Sequence, residues 1–306
     1  MGKGVRSGTV KPCARRLRGI PSIRPRRSLG QNFLVDPSHL DVIVSAADLG
    51  RADAVLEVGA GTGTLTEALA KRAAHVIAVE LDDRLVEVLR EKFARSSNVD
   101  IVHANILDLG LTELVQFDTL SYRKCKVVAN LPYYITSPVI LKLLEEVRLF
   151  ERIVVMVQKE VAERMVAAPG SKRYGAFSVV IQYHTVPEIV GIVPPGAFRP
   201  VPNVDSAIVR LLVREWPAVE VASEGVFFAV VRAGFRMRRK TLFRALVMAG
   251  GAGLGLPGAD ENAVREAFGK AGLNSKRRAE TFSLDEFARL ADELLAVTSI
   301  HPETSR

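Results

Sequence analysis

The chain has 306 residues, 48% of them apolar and 25% charged, which suits a globular protein with a sizeable core. No uninterrupted apolar run approaches the ~20 residues of a membrane span, and two cysteines, Cys13 and Cys125, are too few for a disulfide framework or a metal cluster. The formal net charge of +8 is uneven: residues 1–27 hold nine Lys or Arg and no acid, leaving 33 basic against 34 acidic residues in the rest.

The bulk charge therefore gives no support for nucleic-acid binding by the body, and any such case rests on local clusters. In the segment 1–27, Pro12, Pro21 and Pro25 interrupt any helix. It reads as a basic, disordered arm able to screen phosphates. An Arg-rich, acid-free start also has the composition of an organelle transit peptide, but its amphipathic periodicity is poor, and the apolar core of a secretory signal is missing. A cytoplasmic protein with no membrane partner is the expectation.

Asp36 before Pro37 is an N-cap followed by a helix-starting proline, opening a helix over 39–48. Gln31 and Asn32, just upstream, lie in a loop where their amides face a ligand or cap a turn. Ala54–Val58 has a strand pattern, Gly59-Ala60-Gly61-Thr62-Gly63 a glycine-rich turn and Thr64–Ala70 a helix pattern, the opening of a doubly wound α/β fold. Glycines there let a ligand approach the backbone at a helix N-terminus. A second strand over 75–79 ends in Glu80, an acid placed for both hydroxyls of a ribose. Dinucleotide sites show G-x-G-x-x-G. The spacing here is G-x-G-x-G, with Glu57 two residues ahead, a pattern that resembles S-adenosylmethionine sites, where no pyrophosphate is cradled.

The third strand, Val99–His103, ends in Ala104-Asn105-Ile106, whose amide suits the edge of an adenine. A weakly patterned helix follows over 111–120. The fourth strand, 126–129, runs into Asn130-Leu131-Pro132-Tyr133-Tyr134. Pro132 fixes φ and lacks a donor, so the chain leaves the strand stiffly with an amide first and a ring behind it. Taken alone, this is equally a base-binding pocket or a turn with Tyr133 in the core. In a parallel sheet, however, the tips bearing Gly59, Glu80, Asn105 and Asn130 share the edge where ligands bind.

A helix over 137–147, a strand over 153–157 and a helix over 159–168 come next. The loop 169–175 carries Lys172, Arg173 and Tyr174 and reads as a lid over substrate or as a solvated turn. Strands over 178–184 and Ser206–Val213 flank a loop stiffened by Pro194, Pro195, Pro200 and Pro202, presenting Phe198 as a second stacking wall. From residue 216 the pattern is helical, over 223–237, 239–249, 260–271 and 283–297, with 250–258 as a loose connector. Arg232, Arg236, Arg238, Arg239, Lys240 and Arg244 fall within thirteen residues without an acid, and Lys270, Lys276, Arg277 and Arg278 follow. Phosphate contact is expected of both groups.

Several ordered motifs together resemble one family: Leu29-Gly30-Gln31-Asn32-Phe33-Leu34, Glu57 to Gly63, Glu80-Leu81-Asp82, Asn130-Leu131-Pro132-Tyr133, Gln158-Lys159-Glu160-Val161, Tyr174-Gly175, the 194–202 loop, Val204-Asp205-Ser206-Ala207 and Arg238-Arg239-Lys240-Thr241. Over residues 24–295 the chain is similar to the S-adenosylmethionine-dependent small-subunit ribosomal RNA adenine N6,N6-dimethyltransferases. The resemblance implies a Rossmann-like class I methyltransferase domain with a mostly parallel twisted sheet over 28–215. A small all-α, RNA-binding domain over 216–306 completes it. It implies cofactor contacts from Gln31, Asn32, Leu34, Gly59, Gly61, Gly63, Glu80, Leu81, Asn105, Ile106 and Asn130. Asn130, Leu131, Pro132, Tyr133 and Phe198 are the implied catalytic set, with no metal. Lys172, Arg173, Arg236, Arg238, Arg239, Lys240 and Arg244 are the implied RNA contacts.

The implied reaction gives N6,N6-dimethyladenine at two adjacent adenines and S-adenosylhomocysteine. A monomer would carry it out on a pre-ribosomal particle, coupled to small-subunit maturation. Two departures stand out: relatives commonly carry Asp at position 105 and often Asn at 134. A large-subunit methyltransferase of the macrolide-resistance type shares the catalytic motifs, but the proline-rich loop and Arg238 to Thr241 favour the small-subunit group. A non-catalytic assembly factor would not need both the glycine loop and Asn130 to Tyr133. DNA adenine enzymes usually have Pro-Pro-Tyr in that motif.

Overall fold

The fold is that of a computed structural model, which describes residues 25–26, 29–115 and 125–300. Most of the basic arm and the second half of the helix expected over 111–120 lie outside these. The two-residue strand β1 (Phe33–Leu34) and the helix α1 (Pro37–Ala47), capped by Asp36, lead into an alternating region. It comprises β2 (Ala54–Val58), α2 (Thr64–Ala70), β3 (His75–Glu80), α3 (Asp83–Phe93), β4 (Val99–His103), α4 (Leu111–Val115), β5 (Cys125–Asn130), α5 (Thr136–Glu145), β6 (Phe150–Gln158) and α6 (Lys159–Met165). Then come α7 (Ala176–His184), β7 (Thr185–Val193), β8 (Phe198–Arg199) and β9 (Ser206–Val213).

The main sheet has the order β4-β3-β2-β5-β6-β9-β7, with β9 antiparallel to both neighbours and the other pairs parallel. Every residue of β2 is buried, as befits a central parallel strand covered on both faces. One core cluster fills the face under α5 and α6 around Leu143 and Val155, and another the face under α1 to α3 around Ile43, Leu69 and Leu89. A third packs the C-terminal helices α8 (Glu224–Arg236), α9 (Leu242–Leu254), α10 (Glu261–Lys270) and α11 (Leu284–Ile300) around Phe227, Phe268 and Phe287. Among the described residues, no helix is long and apolar enough to cross a membrane.

The segment 178–184 is a helix, where the alternation of apolar residues predicts a strand. Phe177 and Ile181 join the sheet cluster, while Val179 and Tyr183 join the cluster of the C-terminal helices. Each pair is four residues apart, so α7 buries two opposite faces and mimics strand alternation. The expected strand is displaced to β7. The helix α3, which has no counterpart among the predicted elements, has Asp82 as N-cap and buries Leu85, Val86, Leu89 and Phe93. The expected connector 250–258 is partly helical, since α9 continues to Leu254 through a single break at Gly250 (φ 62°).

Candidate active site

Strand order reverses between β2 and β5, the switch point where open α/β sheets bind ligands. Gly59 follows β2 and Asn130 ends β5, so close together that a Cβ on Gly59 would lie 3.7 Å from the Asn130 carbonyl oxygen. A cleft of about 770 Å³ opens there. Gly59 and Gly61 form its floor, Glu80, Leu81, Asn105 and Ile106 one wall, Asn130 to Ile135 the other, and Leu29 to Phe33 the roof.

Glu80 is buried and accepts hydrogen bonds from three backbone N–H groups: Gly61 (2.8 Å) on Oε2, and Leu81 and Asp82 (2.9 Å each) on Oε1. A carboxylate has about four lone-pair sites. Glu80 therefore keeps a lone-pair site for a ligand's donor in this conformation. Gln31 is also engaged at both ends of its amide, with Oε1 accepting from Arg26 N (2.8 Å) and Nε2 donating to Asp82 (2.9 Å). These bonds tie the roof down, and Gln31 lines the cleft beneath it. The side chain of Asp82 is fully buried, and hydrogen bonds from Arg84 first, then Gln31, hold its carboxyl far below the usual carboxylate range. Arg26, placed in the arm by the expected boundary at 27, is anchored on the body through Asp82 and Asp83.

Asn105 caps a short turn with Oδ1, which accepts from Leu107 N (3.2 Å), and donates from Nδ2 to Asp108 (2.9 Å). A donor on one end and a carboxylate on the other fix the amide's orientation and leave Oδ1 one lone pair. Asn130 Nδ2 donates to the Asn32 carbonyl (3.2 Å), which sets Oδ1 as the end able to accept. Behind it, the hydroxyl of half-buried Tyr133 lies 2.7 Å from that of Ser206, and burial pushes the phenol pKa up. Exposed Tyr134 lies at the mouth against Gly30.

Glu57 is buried at the tip of β2, beside a smaller space of about 420 Å³ lined also by Leu34, Gly59, Gly61 and Asn130. Burial pushes its carboxyl up to about 8; Thr66 pulls it back and Glu80 adds repulsion. Although Thr66 is the neighbouring hydroxyl, neither carboxylate oxygen forms a hydrogen bond of normal geometry.

Two expected site residues lie elsewhere. Gly63 has φ 74°, and a Cβ there would fall 2.8 Å from Leu89 and 2.9 Å from Phe93. The third glycine thus admits α3 against the loop and lines neither space. Gly63→Ala is expected to lower stability by about 2–4 kcal/mol, from the left-handed backbone and the overlap together, read as a fall in Tm. An unchanged Tm would contradict that packing. Phe198 is 1% exposed, because β8 pairs with β1 (Leu34↔Phe198) and turns the ring into the core. It has no open face to stack on a base in this conformation.

The basic residues Lys172, Arg173, Arg236, Arg238, Arg239, Lys240 and Arg244 are all exposed. The 169–175 loop and the turn after α8 meet in a groove holding Lys172, Arg173, Arg238 and Arg164, with Phe177 and Phe235 beside them. Arg173 is paired with Glu163 at 2.7 Å, whereas Arg164 lies over the Phe177 ring at 5.3 Å. In the second basic group Arg277 is a structural tie, bound to Glu286 and stacked over Phe282 at 4.3 Å.

The family model for ribosomal RNA adenine dimethylase matches residues 23–294. The ribosomal RNA small subunit methyltransferase A of Pelotomaculum thermopropionicum is 48% identical over 89% of this chain and 92% of its own length. That of Anoxybacillus flavithermus is 44% identical over 89% and 91%. Among solved structures, a dimethyladenosine transferase from Plasmodium falciparum superposes with a TM-score of 0.67 at 26% identity, covering 84% of this chain and 95% of its own. The 23S rRNA methyltransferase ErmE does so at 0.64 and 27%, covering 86% and 99%. With the family model spanning nearly the whole described body, the chain belongs to the ribosomal RNA adenine dimethylases, whose methyl donor is S-adenosylmethionine.

Proposed function

We propose that the protein methylates the N6 amines of two adjacent adenines in small-subunit ribosomal RNA to N6,N6-dimethyladenine. It acts as a cytoplasmic monomer on a maturing particle. The observation that carries this reading is Asn130, whose amide is oriented by the Asn32 carbonyl with its acceptor end free beside Tyr133. The higher identity to proteins named for the small subunit than to ErmE supports that subunit over the large one.

The residues fit the donor. The buried Glu57 carboxylate, without a hydrogen-bond partner, suits the cationic amino group of its methionine portion. The remaining site on Glu80 Oε2 suits a ribose hydroxyl, and Asn105 Oδ1 with Ile106 suits the adenine edge. When bound, the donor supplies an electrophilic methyl group. An adenine amine is a weak nucleophile because its lone pair is delocalised into the ring. Asn130 Oδ1 and the Leu131 carbonyl, accepting from its N–H groups, aim that lone pair. Tyr133 holds the flipped base by stacking, at roughly 1–3 kcal/mol. The product ammonium loses its proton readily, so no general base is needed.

Asn105→Ala is expected to weaken donor binding several-fold by calorimetry, the worth of about one hydrogen bond; equal or tighter binding would remove Asn105 from the site. Changing Arg236, Arg239, Lys240 and Arg244 to Gln is expected to weaken RNA binding and flatten its log–log salt dependence by about 3. An unchanged slope would leave that face as solvated surface. The function itself is tested by nucleoside mass spectrometry of small-subunit RNA after incubation with protein and donor. Dimethyladenine at two neighbouring positions is the expected product; monomethyladenine alone would contradict the proposal.

A further inference from the structure

Ser206 takes no part in the proposed chemistry, yet it sits where the base site joins the rest of the fold. It is the first residue of β9, fully buried, and is paired on one side with Gln158 of β6 and on the other with Val193 of β7. Two ladders therefore fix its backbone, and the residue before it is held again by Lys159 N, which donates to the Asp205 carbonyl (3.0 Å). The pair Val193↔Ser206 also closes the base of the stiff 194–205 loop. From this fixed point the Ser206 hydroxyl reaches the Tyr133 hydroxyl at 2.7 Å. At its other end the Tyr133 ring is set by Pro132 and by Leu131 N, which donates to the Met156 carbonyl at 3.2 Å. The ring lines the cleft and is held at both ends.

We propose that Ser206 is a positioning residue, whose hydroxyl tethers Tyr133 to the sheet so that the ring meets the target adenine already oriented. The inference rests on the proposed function, because it assumes that Tyr133 receives a base. A ring held this way loses little freedom when the base arrives. Without the tether it must be immobilised during the reaction cycle.

The test is a double-mutant cycle of Ser206→Ala, Tyr133→Phe and both together. The readouts are kcat/KM on unmethylated small-subunit particles, donor affinity by calorimetry, and Tm. An RNA hairpin with 2-aminopurine at the target position reports base capture without methylation. Each single change removes the same hydrogen bond, worth about fivefold. The expected result is a similar loss of kcat/KM and of capture in both singles, no further loss in the double, and unchanged donor affinity. Multiplicative losses, or a Tyr133→Phe variant that behaves as wild type, would overturn the tether. So would a lower Tm with kcat/KM and capture intact, which reduces the hydroxyl pair to a structural contact. If Ser206→Ala does not fold, Tyr133→Phe decides alone. A wild-type protein that neither captures nor methylates refutes the proposed function itself, and the tether with it.

Discussion

Asn130→Ala is expected to lower kcat for methyl transfer by about 10²–10³-fold, the usual loss when one pre-aimed polar group is removed from a reaction centre. Donor affinity should change far less. The other groups proposed to face the cofactor, Glu80 with its three backbone partners and Asn105 with its two, are held independently of Asn130. The alanine variant does lose the bond to the Asn32 carbonyl, so some loosening of the roof accompanies it. Single-turnover rates at saturating donor separate the two effects. A variant that binds donor poorly but turns over normally once saturated would assign Asn130 to cofactor binding alone.

Glu57→Gln should alter pH dependence in two ways. The folded-state pKa near 8 stands above the ordinary 4.5, so the folded protein keeps a proton that the unfolded chain releases in between. Stability therefore falls as pH rises from 4.5 to 8 and levels beyond. Glutamine cannot ionise, so the variant lacks that decline and is expected to melt higher than wild type at alkaline pH. Donor binding moves the other way: a cationic amino group pairs with the ionised form, so wild-type affinity climbs with pH toward 8 and falls again once the amino group itself loses its proton. The variant's affinity is weaker and insensitive to pH over that range. Melting scans and calorimetry from acid to alkaline pH check both. Parallel curves for the two proteins would show that Glu57 is neither protonated in the free fold nor used by the donor.

The strand tips were legible in the chain because each is a local pattern, an apolar run ending in glycine, acid or amide. A parallel sheet then brings those ends to one edge without long-range knowledge. What escaped depends on partners far away in sequence. The α7 helix looks like a strand because it is clamped between the sheet and helices some fifty residues later. Gly63 belongs to a ligand-type motif, yet its missing side chain makes room for Leu89 and Phe93 of α3, a helix that starts twenty residues later. The prolines around Phe198 announce stiffness but not direction, and pairing with β1 turns the ring inward. Nothing near Ser206 in sequence signals Tyr133, seventy-three residues before it.

The cleft between β2 and β5 is expected to deliver methyl groups to adenines of small-subunit ribosomal RNA. The most direct test is transfer of labelled methyl from S-adenosylmethionine to unmethylated small-subunit particles, large-subunit RNA and duplex DNA in parallel. The wild-type and Asn130→Ala proteins are compared on each. Strong labelling of the small-subunit particles by the wild type alone is the expected result. Labelling mainly of large-subunit RNA or DNA, or equal labelling by the Asn130→Ala protein, would contradict it.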